Sequence, residues 1–280
     1  MAIDKSIANI SHHDYSPMLI FKSLWNNWDL IIQLVKRDII GRYRGSLMGL
    51  FWSFVHPLLM LTVYTVVFGV FLKVRWAGTQ NSLEFSVFLF AGLLVFNFFA
   101  ECVNRAPSLI ISSPNYVKKV VFPLEVFPWI VVGSSLFHTM ISFFAWLVFY
   151  LTIYNSLNWT VIFLPVLLLP LTLVILGLCW FLSAASVFVR DIAQIITIVT
   201  QVLLFLSPIF YAINTLPTGF QNILLINPLT FIVEQARAIL ILGELPAFSA
   251  LILYTIISLC IAWLGLVSFQ RMRDGFADVL

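Results

Sequence analysis

The chain has 280 residues, of which 61% are hydrophobic and only 10% charged, against roughly a quarter charged in an ordinary soluble domain. So few charges cannot cover a water-facing surface, which excludes an ordinary soluble enzyme or binding domain. The formal net charge of +3 is better explained by membrane orientation than by nucleic acid binding.

At the N-terminus, residues 1–18 carry Asp4, Lys5, His12, His13 and Asp14 without a compact apolar stretch, so no cleavable signal is expected. Next, Phe21, Leu24, Trp25, Trp28, Ile31, Ile32 and Val35 recur at helical spacing opposite Lys22, Asn26, Asp29, Gln33 and Lys36. That periodicity predicts an amphipathic helix lying in the membrane interface, closing an N-terminal region of residues 1–46. A helix packed on a soluble domain would show the same pattern. Lys36, Arg37, Arg42 and Arg44 then gather where this helix meets the first apolar run. Guanidinium groups at headgroup depth suit a pyrophosphate, and they equally suit simple anchoring on the cytoplasmic side.

From here the sequence predicts an all-α membrane protein. No charge occurs from Val126 to Val189, from Ile192 to Val233 or from Leu245 to Gln270, and each block exceeds the roughly 20 residues that cross a bilayer core. Six spans are expected within residues 47–270, near 47–72, 84–104, 127–153, 160–188, 192–212 and 247–270, followed by a tail at 271–280. With both termini inside, 12 of the 15 Lys and Arg residues fall in cytoplasmic segments, which sets the orientation. After the second span, Ser113 to Glu125 is short, bounded by prolines and basic at Lys118 and Lys119, and it reads as a cytoplasmic helix suited to contacting a partner. Between the fifth and sixth spans, Ser207-Pro208, Leu216-Pro217, Gly219 and Asn227-Pro228 break an apolar stretch. Backbone broken at membrane depth needs cover from protein or a water-filled cavity, so short outer re-entrant helices are expected, one from about Leu229 to Leu242. Glu234 and Arg237 can pair on it, three residues apart. An ordinary outer loop is the alternative.

Little here points to covalent chemistry. Cys102, Cys179 and Cys260 lie far apart in or beside apolar runs and read as small hydrophobes. No phosphate-binding loop or dinucleotide fingerprint occurs. His56 and His138 stand in apolar spans without an acid in the same span, and they read as hydrogen-bonded structural residues rather than a proton relay. Tyr64, Phe68 and Phe71 share a helical face, as do Phe85, Phe88, Phe96 and Phe99. Ring faces stack on sugar C–H faces without gripping any one unit; bundle packing or lipid contact explains such aromatics too.

Two runs carry a family resemblance. Arg42-Tyr43-Arg44-Gly45-Ser46-Leu47-Met48-Gly49-Leu50-Phe51-Trp52 followed by Pro57, and Asn115-Tyr116-Val117-Lys118-Lys119-Val120-Val121-Phe122-Pro123-Leu124, resemble the ABC-2 type permeases that export polysaccharides. Within these the chain is most similar to the Wzm-type subunits of O-antigen transporters; capsule and teichoic-acid permeases share much of the pattern. The resemblance implies a homodimer bound to two copies of a separate ABC ATPase, which would hold ATP and magnesium, with no cofactor on this chain. The complex would move an undecaprenyl-pyrophosphate-linked glycan across the bacterial inner membrane. It further implies that Asn115, Tyr116, Val117, Lys118, Lys119 and Phe122 couple to the ATPase. Arg42 and Arg44 would lie at the lipid-pyrophosphate entrance. Tyr64, Phe68, Phe71, Phe85, Phe88, Phe96 and Phe99 would line the channel, and Asn227, Pro228, Glu234 and Arg237 would form an outer gate.

Two rivals come from other classes. A membrane-embedded glycosyl or acyl transferase needs acid or histidine pairs near a membrane surface, and Glu84, Glu101 and Asp191 look too scattered to supply one. An ion-coupled transporter needs buried carboxylates within its spans.

Overall fold

The computed structural model describes residues 17–72, 82–118 and 122–280, and its regular structure is entirely helical. Two helices precede the first long one, α1 (Met18–Asn26) and α2 (Trp28–Tyr43). The single amphipathic helix expected there is broken at Asn27, which leaves helical geometry (φ −114°, ψ 20°) while its side-chain amide donates to the Ser23 carbonyl at 2.9 Å. Asparagine side chains compete for backbone partners in this way. Ile31 and Leu34 are buried, whereas Trp25 and Trp28 are 85% and 54% exposed, so the chain leaves part of this apolar surface uncovered. The link to α3 (Trp52–Tyr64) turns at Gly45 (φ +87°) and Gly49 (φ +51°), a left-handed backbone that costs residues with a Cβ. α3 continues through a π-helical stretch, Thr65–Phe71.

α4 (Ser82–Arg105) is the axis of the molecule, with the π-helical stretch of the first span packed along it. Short α5 (Ser108–Ile111) and α6 (Pro114–Val117) follow. α7 (Phe127–Tyr154) ends at left-handed Asn155 (φ 54°), and α8 (Leu164–Phe188) returns. Both pack on α4, and α2 lies against α7. α2 fits closely there: a Cβ at Gly133 would stand 2.7 Å from Val35 Cγ2. After α8 come α9 (Ile192–Leu206), α10 (Thr218–Ile226) and α11 (Pro228–Arg237), the last running on as a π-helical turn to Leu242. The chain ends with α12 (Phe248–Arg273) and α13 (Phe276–Val279).

Among the described residues five helices are long and apolar enough to cross a membrane: Gly49–Phe71, Leu83–Arg105, Leu124–Tyr154, Trp159–Phe188 and Phe248–Arg273. The expected fifth span at 192–212 is shorter than predicted. α9 has 15 residues, about 22 Å at 1.5 Å per residue, and stops at Ser207 because the residue before a proline is driven out of helical geometry. Thr218–Ile226 and Pro228–Leu242 meet at 101°, and the count rises to six if that bent pair is one span. Helices α8 and α12 touch through backbone: a Cβ on Gly177 would sit 2.5 Å from the Ile261 carbonyl oxygen, and one on Gly265 would collide with the Gly177 carbonyl.

The broken stretch after α9 is held chiefly by Arg237. Arg237 is 2% exposed and donates to the carbonyls of Phe88 (3.0 Å), Pro208 and Ile209 (2.8 Å), and to Glu234 Oε1 at 3.0 Å. Two of its donors thus take up the Pro208 and Ile209 carbonyls that the interrupted helix leaves open. Gly92 makes the room: a Cβ there would stand 3.0 Å from Arg237 Nη2. Asn227 adds a second tie, its side chain accepting from the Leu229 N–H at 3.0 Å and donating to Ser207 Oγ at 2.9 Å.

Replacing Arg237 with Leu should therefore cost about 3 kcal/mol or more, read as a lower unfolding temperature in detergent, and Arg237→Lys should recover only part of it because a point charge lacks the fork. Gly265→Ala should destabilise by about 1–3 kcal/mol through overpacking. Gly219→Ala, where a Cβ meets nothing within 4 Å, serves as its control and should not.

Candidate functional site

Four side chains from three helices converge at the end of α2. Arg42 Nη1 lies 2.7 Å from Glu101 Oε1, and His138 Nδ1 lies 2.9 Å from the same oxygen. His138 Nε2 is 3.2 Å from Tyr43 Oη. Arg42 Nη1 is also 3.1 Å from His138 Nδ1, yet closer to the carboxylate. The consistent assignment therefore has Nδ1–H donating to Glu101 and Nε2 accepting from the tyrosine hydroxyl. One turn along α4, Arg105 grips both oxygens of Asp38 at 2.7 and 2.8 Å, donates to Ser134 Oγ at 3.0 Å and stands 4.0 Å from Glu101. α2 is thus fastened to α4 twice and to α7 once.

Beside this cluster opens a cavity of about 480 Å³ lined by Arg42, Tyr43, His56, Asn97, Glu101, Asn104 and His138, with Trp52 and Pro57 on its apolar side. Asn104 Oδ1 accepts from Thr200 Oγ1 at 2.9 Å, which sets α9 next to it; Gln194, Thr197 and Gln201 are exposed on α9. An apolar groove of about 570 Å³ lies on the other flank of α2, between Trp28, Ile32, Ile39 and Ile40 and the α7 residues Trp129, Leu136 and Phe137.

The expected entrance pair divides: Arg42 lines the cavity and Arg44 is exposed outside it. The expectation that Glu101 is too scattered to find a histidine is corrected, since the fold delivers His138 from 37 residues away. The four α4 aromatics are also corrected. Phe85, Phe88, Phe96 and Phe99 are 1–6% exposed, buried in the chain's own core because α4 is surrounded, and they offer no face to a passing molecule. Tyr64 and Phe68 are half-buried, Phe68 lying 5.7 Å from both Phe85 and Phe210, and Phe71 is exposed. Asn227, Pro228, Glu234 and Arg237 come together at the bend already described. Cys102 and Cys179 are buried, with Cys179 Sγ donating to the Cys102 carbonyl, and Cys260 is exposed.

On the segment after α4, Asn115 and Lys118 are exposed while Tyr116, Val117 and Phe122 are half-buried; Lys119 lies outside the described residues. Tyr116 stacks 4.6 Å from Phe122 and 5.8 Å from Phe127. The segment is tied to three helices. Arg37 of α2 donates to Tyr116 Oη at 3.1 Å, Arg273 of α12 pairs with Glu125 at 3.1 Å, and Trp180 of α8 donates to the Glu125 carbonyl at 3.0 Å.

Comparison with known proteins fits this arrangement. The chain is 29% identical to the O-antigen export system permease protein RfbA of Myxococcus xanthus over 92% of this chain and 98% of that protein. It is 27% identical to the RfbA permease of Klebsiella pneumoniae over 90% and 95%, and 23% identical to the polysialic acid transport protein KpsM of Escherichia coli over 86% and 93%. The family model for the ABC-2 type transporter matches residues 29–241, from the first turn of α2 through the cavity and the segment after α4 to the bend. With that match covering most of its length, the chain belongs to the ABC-2 type transporter family.

Proposed function

We propose that the chain is the membrane-spanning subunit of an ATP-driven exporter of polysaccharide, with O-antigen carried on undecaprenyl pyrophosphate as the first candidate and a capsule or teichoic-acid polymer as the alternative. The observation that carries this is the similarity to O-antigen permeases along nearly the whole chain; the KpsM likeness supports the capsule alternative. As a transporter subunit the chain performs no covalent step, and ATP and magnesium belong to a partner ATPase.

In this reading the assembly is two copies of this chain with two of the ATPase, in the inner membrane, with both termini cytoplasmic. The distribution of basic residues supports the orientation, and the exposed apolar flanks of α3 and α9 leave surface for a second copy. Residues 1–46 form the cytoplasmic region, 47–270 the membrane domain and 271–280 the tail. Helices α1 and α2 lie in the interface, with Trp25 and Trp28 at headgroup depth. The bent pair α10–α11 is re-entrant on the outer side, so Asn227, Pro228, Glu234 and Arg237 would brace an outer gate.

Asn115 to Phe122 is the coupling element. Its ties to α2 and α12, with that of the adjoining Glu125 to α8, would carry a push from the ATPase into the membrane at three points. Arg42 and Arg44 would meet the lipid pyrophosphate, its hydrocarbon tail running along the apolar groove beside α2. Tyr64, Phe68 and Phe71, with the uncharged amides Asn97, Gln194 and Gln201, would face the polymer; amides bond hydroxyls without holding a charge. The transferase rival gains a Glu101–His138 pair, but that carboxylate is already held by Arg42 and both imidazole nitrogens are engaged, so neither group is left as a free base.

Native mass spectrometry of the gently extracted protein should find two copies with two ATP-binding subunits; isolation without any ATPase, even after crosslinking in the membrane, would remove the engine this function requires. Lys118→Glu with Lys119→Glu should abolish export while leaving membrane insertion intact, measured by surface glycan and membrane fractionation. Arg42→Ala with Arg44→Ala should weaken the stimulation of ATPase activity by lipid-linked substrate.

A further inference from the structure

We propose that Glu101 occupies the place of the ligand's anion: Arg42, His138 and Tyr43 form a diphosphate site that is closed by this carboxylate and opened when a lipid diphosphate displaces it toward Arg105. The inference rests on the lipid-diphosphate reading above and adds to it how the site is kept shut.

The argument begins with charge. Arg42 and Arg105 face Glu101 and Asp38, so the cluster is balanced among the described residues. A headgroup carrying two or more negative charges finds the guanidinium of the cavity wall, Arg42, already paired while Glu101 stays where it is. The strongest donor in the cavity is spent on it, since the Arg42–Glu101 separation of 2.7 Å is that of a charge-assisted hydrogen bond. His138 Nδ1 donates to the same oxygen at 2.9 Å. Both donors therefore converge on one oxygen atom, which is the arrangement a phosphate oxygen would need.

The displaced carboxylate has somewhere to go. Arg105 follows Glu101 by four residues on α4 and already stands 4.0 Å away, so rotation about side-chain bonds exchanges one guanidinium for the other without moving the helix. Asp38 stays on Arg105 and keeps α2 attached. The cavity of about 480 Å³ beside the pair has room for a diphosphate, and His56 stands in its wall without a hydrogen-bond partner among the described residues. Loss of the Arg42–Glu101 tie also loosens the end of α2, whose Arg37 contacts Tyr116 on the segment after α4. Occupancy of the site is thereby communicated toward the cytoplasmic face.

The test uses the full-length permease in lipid nanodiscs with geranylgeranyl diphosphate as probe, read by tryptophan fluorescence, since Trp52 lines the cavity. Glu101→Gln should bind the probe on the order of tenfold more tightly than wild type, because a competing like charge is gone. Glu101→Asp keeps the charge but draws it back by one methylene, and should fall between the two; it guards against a Gln variant that fails to fold. Arg42→Ala should lose most binding. Unchanged or weaker binding in both Glu101 variants while Arg42→Ala still loses it would overturn the closed-site proposal and leave the headgroup reading standing. Unchanged binding in Arg42→Ala would overturn the headgroup reading itself. Inorganic pyrophosphate provides the other arm: binding as tight as the lipid probe would make a soluble diphosphate the ligand and overturn the lipid assignment.

Discussion

A main chain placed in hydrocarbon must find partners for its N–H and C=O groups within the protein, because no water is there to take them. Unbroken helices meet that demand alone, and five stretches of this chain do so. The segment from Ser207 to Asn227 does not, and the molecule answers with Arg237, whose guanidinium reaches carbonyls on α4 and on the broken backbone together. Gly92 is small so that this charge can be buried, and Glu234 partly offsets it. The segment after α9 is therefore tied to α4 through Arg237, and Asn227 joins the end of α9 to the bend between α10 and α11.

At the opposite end of α4 a second polar cluster solves a different problem. There the charges are half-exposed and balanced, and they fasten a helix rather than fill broken backbone. Arg105 with Asp38, and Arg42 with Glu101, hold α2 along the bundle, and Arg37 extends the contact to the segment after α4. The buried arginine is costly to move. The half-exposed pairs are weak enough, at about a kcal/mol or less each, to be exchanged, and that difference in cost separates a fixed bend from an adjustable fastening.

Much of this was legible in the sequence. Charge-free blocks located the long helices, the prolines at 208 and 217 located the break, and the three-residue spacing of Glu234 and Arg237 foretold their pairing. Tyr116 and Phe122 were visible as part of a proline-bounded unit. What escaped were contacts between distant residues and the question of what surrounds a helix. From Val87 to Phe96 α4 is apolar on every side, and such a pattern cannot tell a lining from a core; burial of Phe85, Phe88, Phe96 and Phe99 decides it. The Glu101–His138 pair spans two helices, so no local spacing announced it. A signal did exist: an acid in one apolar span and a histidine in the next are each expensive alone, and pairing relieves both. The shortness of α9 was signalled too, since Pro208 ends helical geometry at Ser207, although apolar composition alone runs on to residue 212.

The contact of α8 with α12 carries a mechanical consequence. Where Gly177 meets Gly265 the two backbones touch with no side chain between them, so neither helix can creep along the other without leaving a gap or a clash. They share one register and behave as a single strut. Any rearrangement of the membrane helices must therefore carry α8 and α12 together as one body. The give in the molecule then belongs to the short, bent and pair-fastened elements around it.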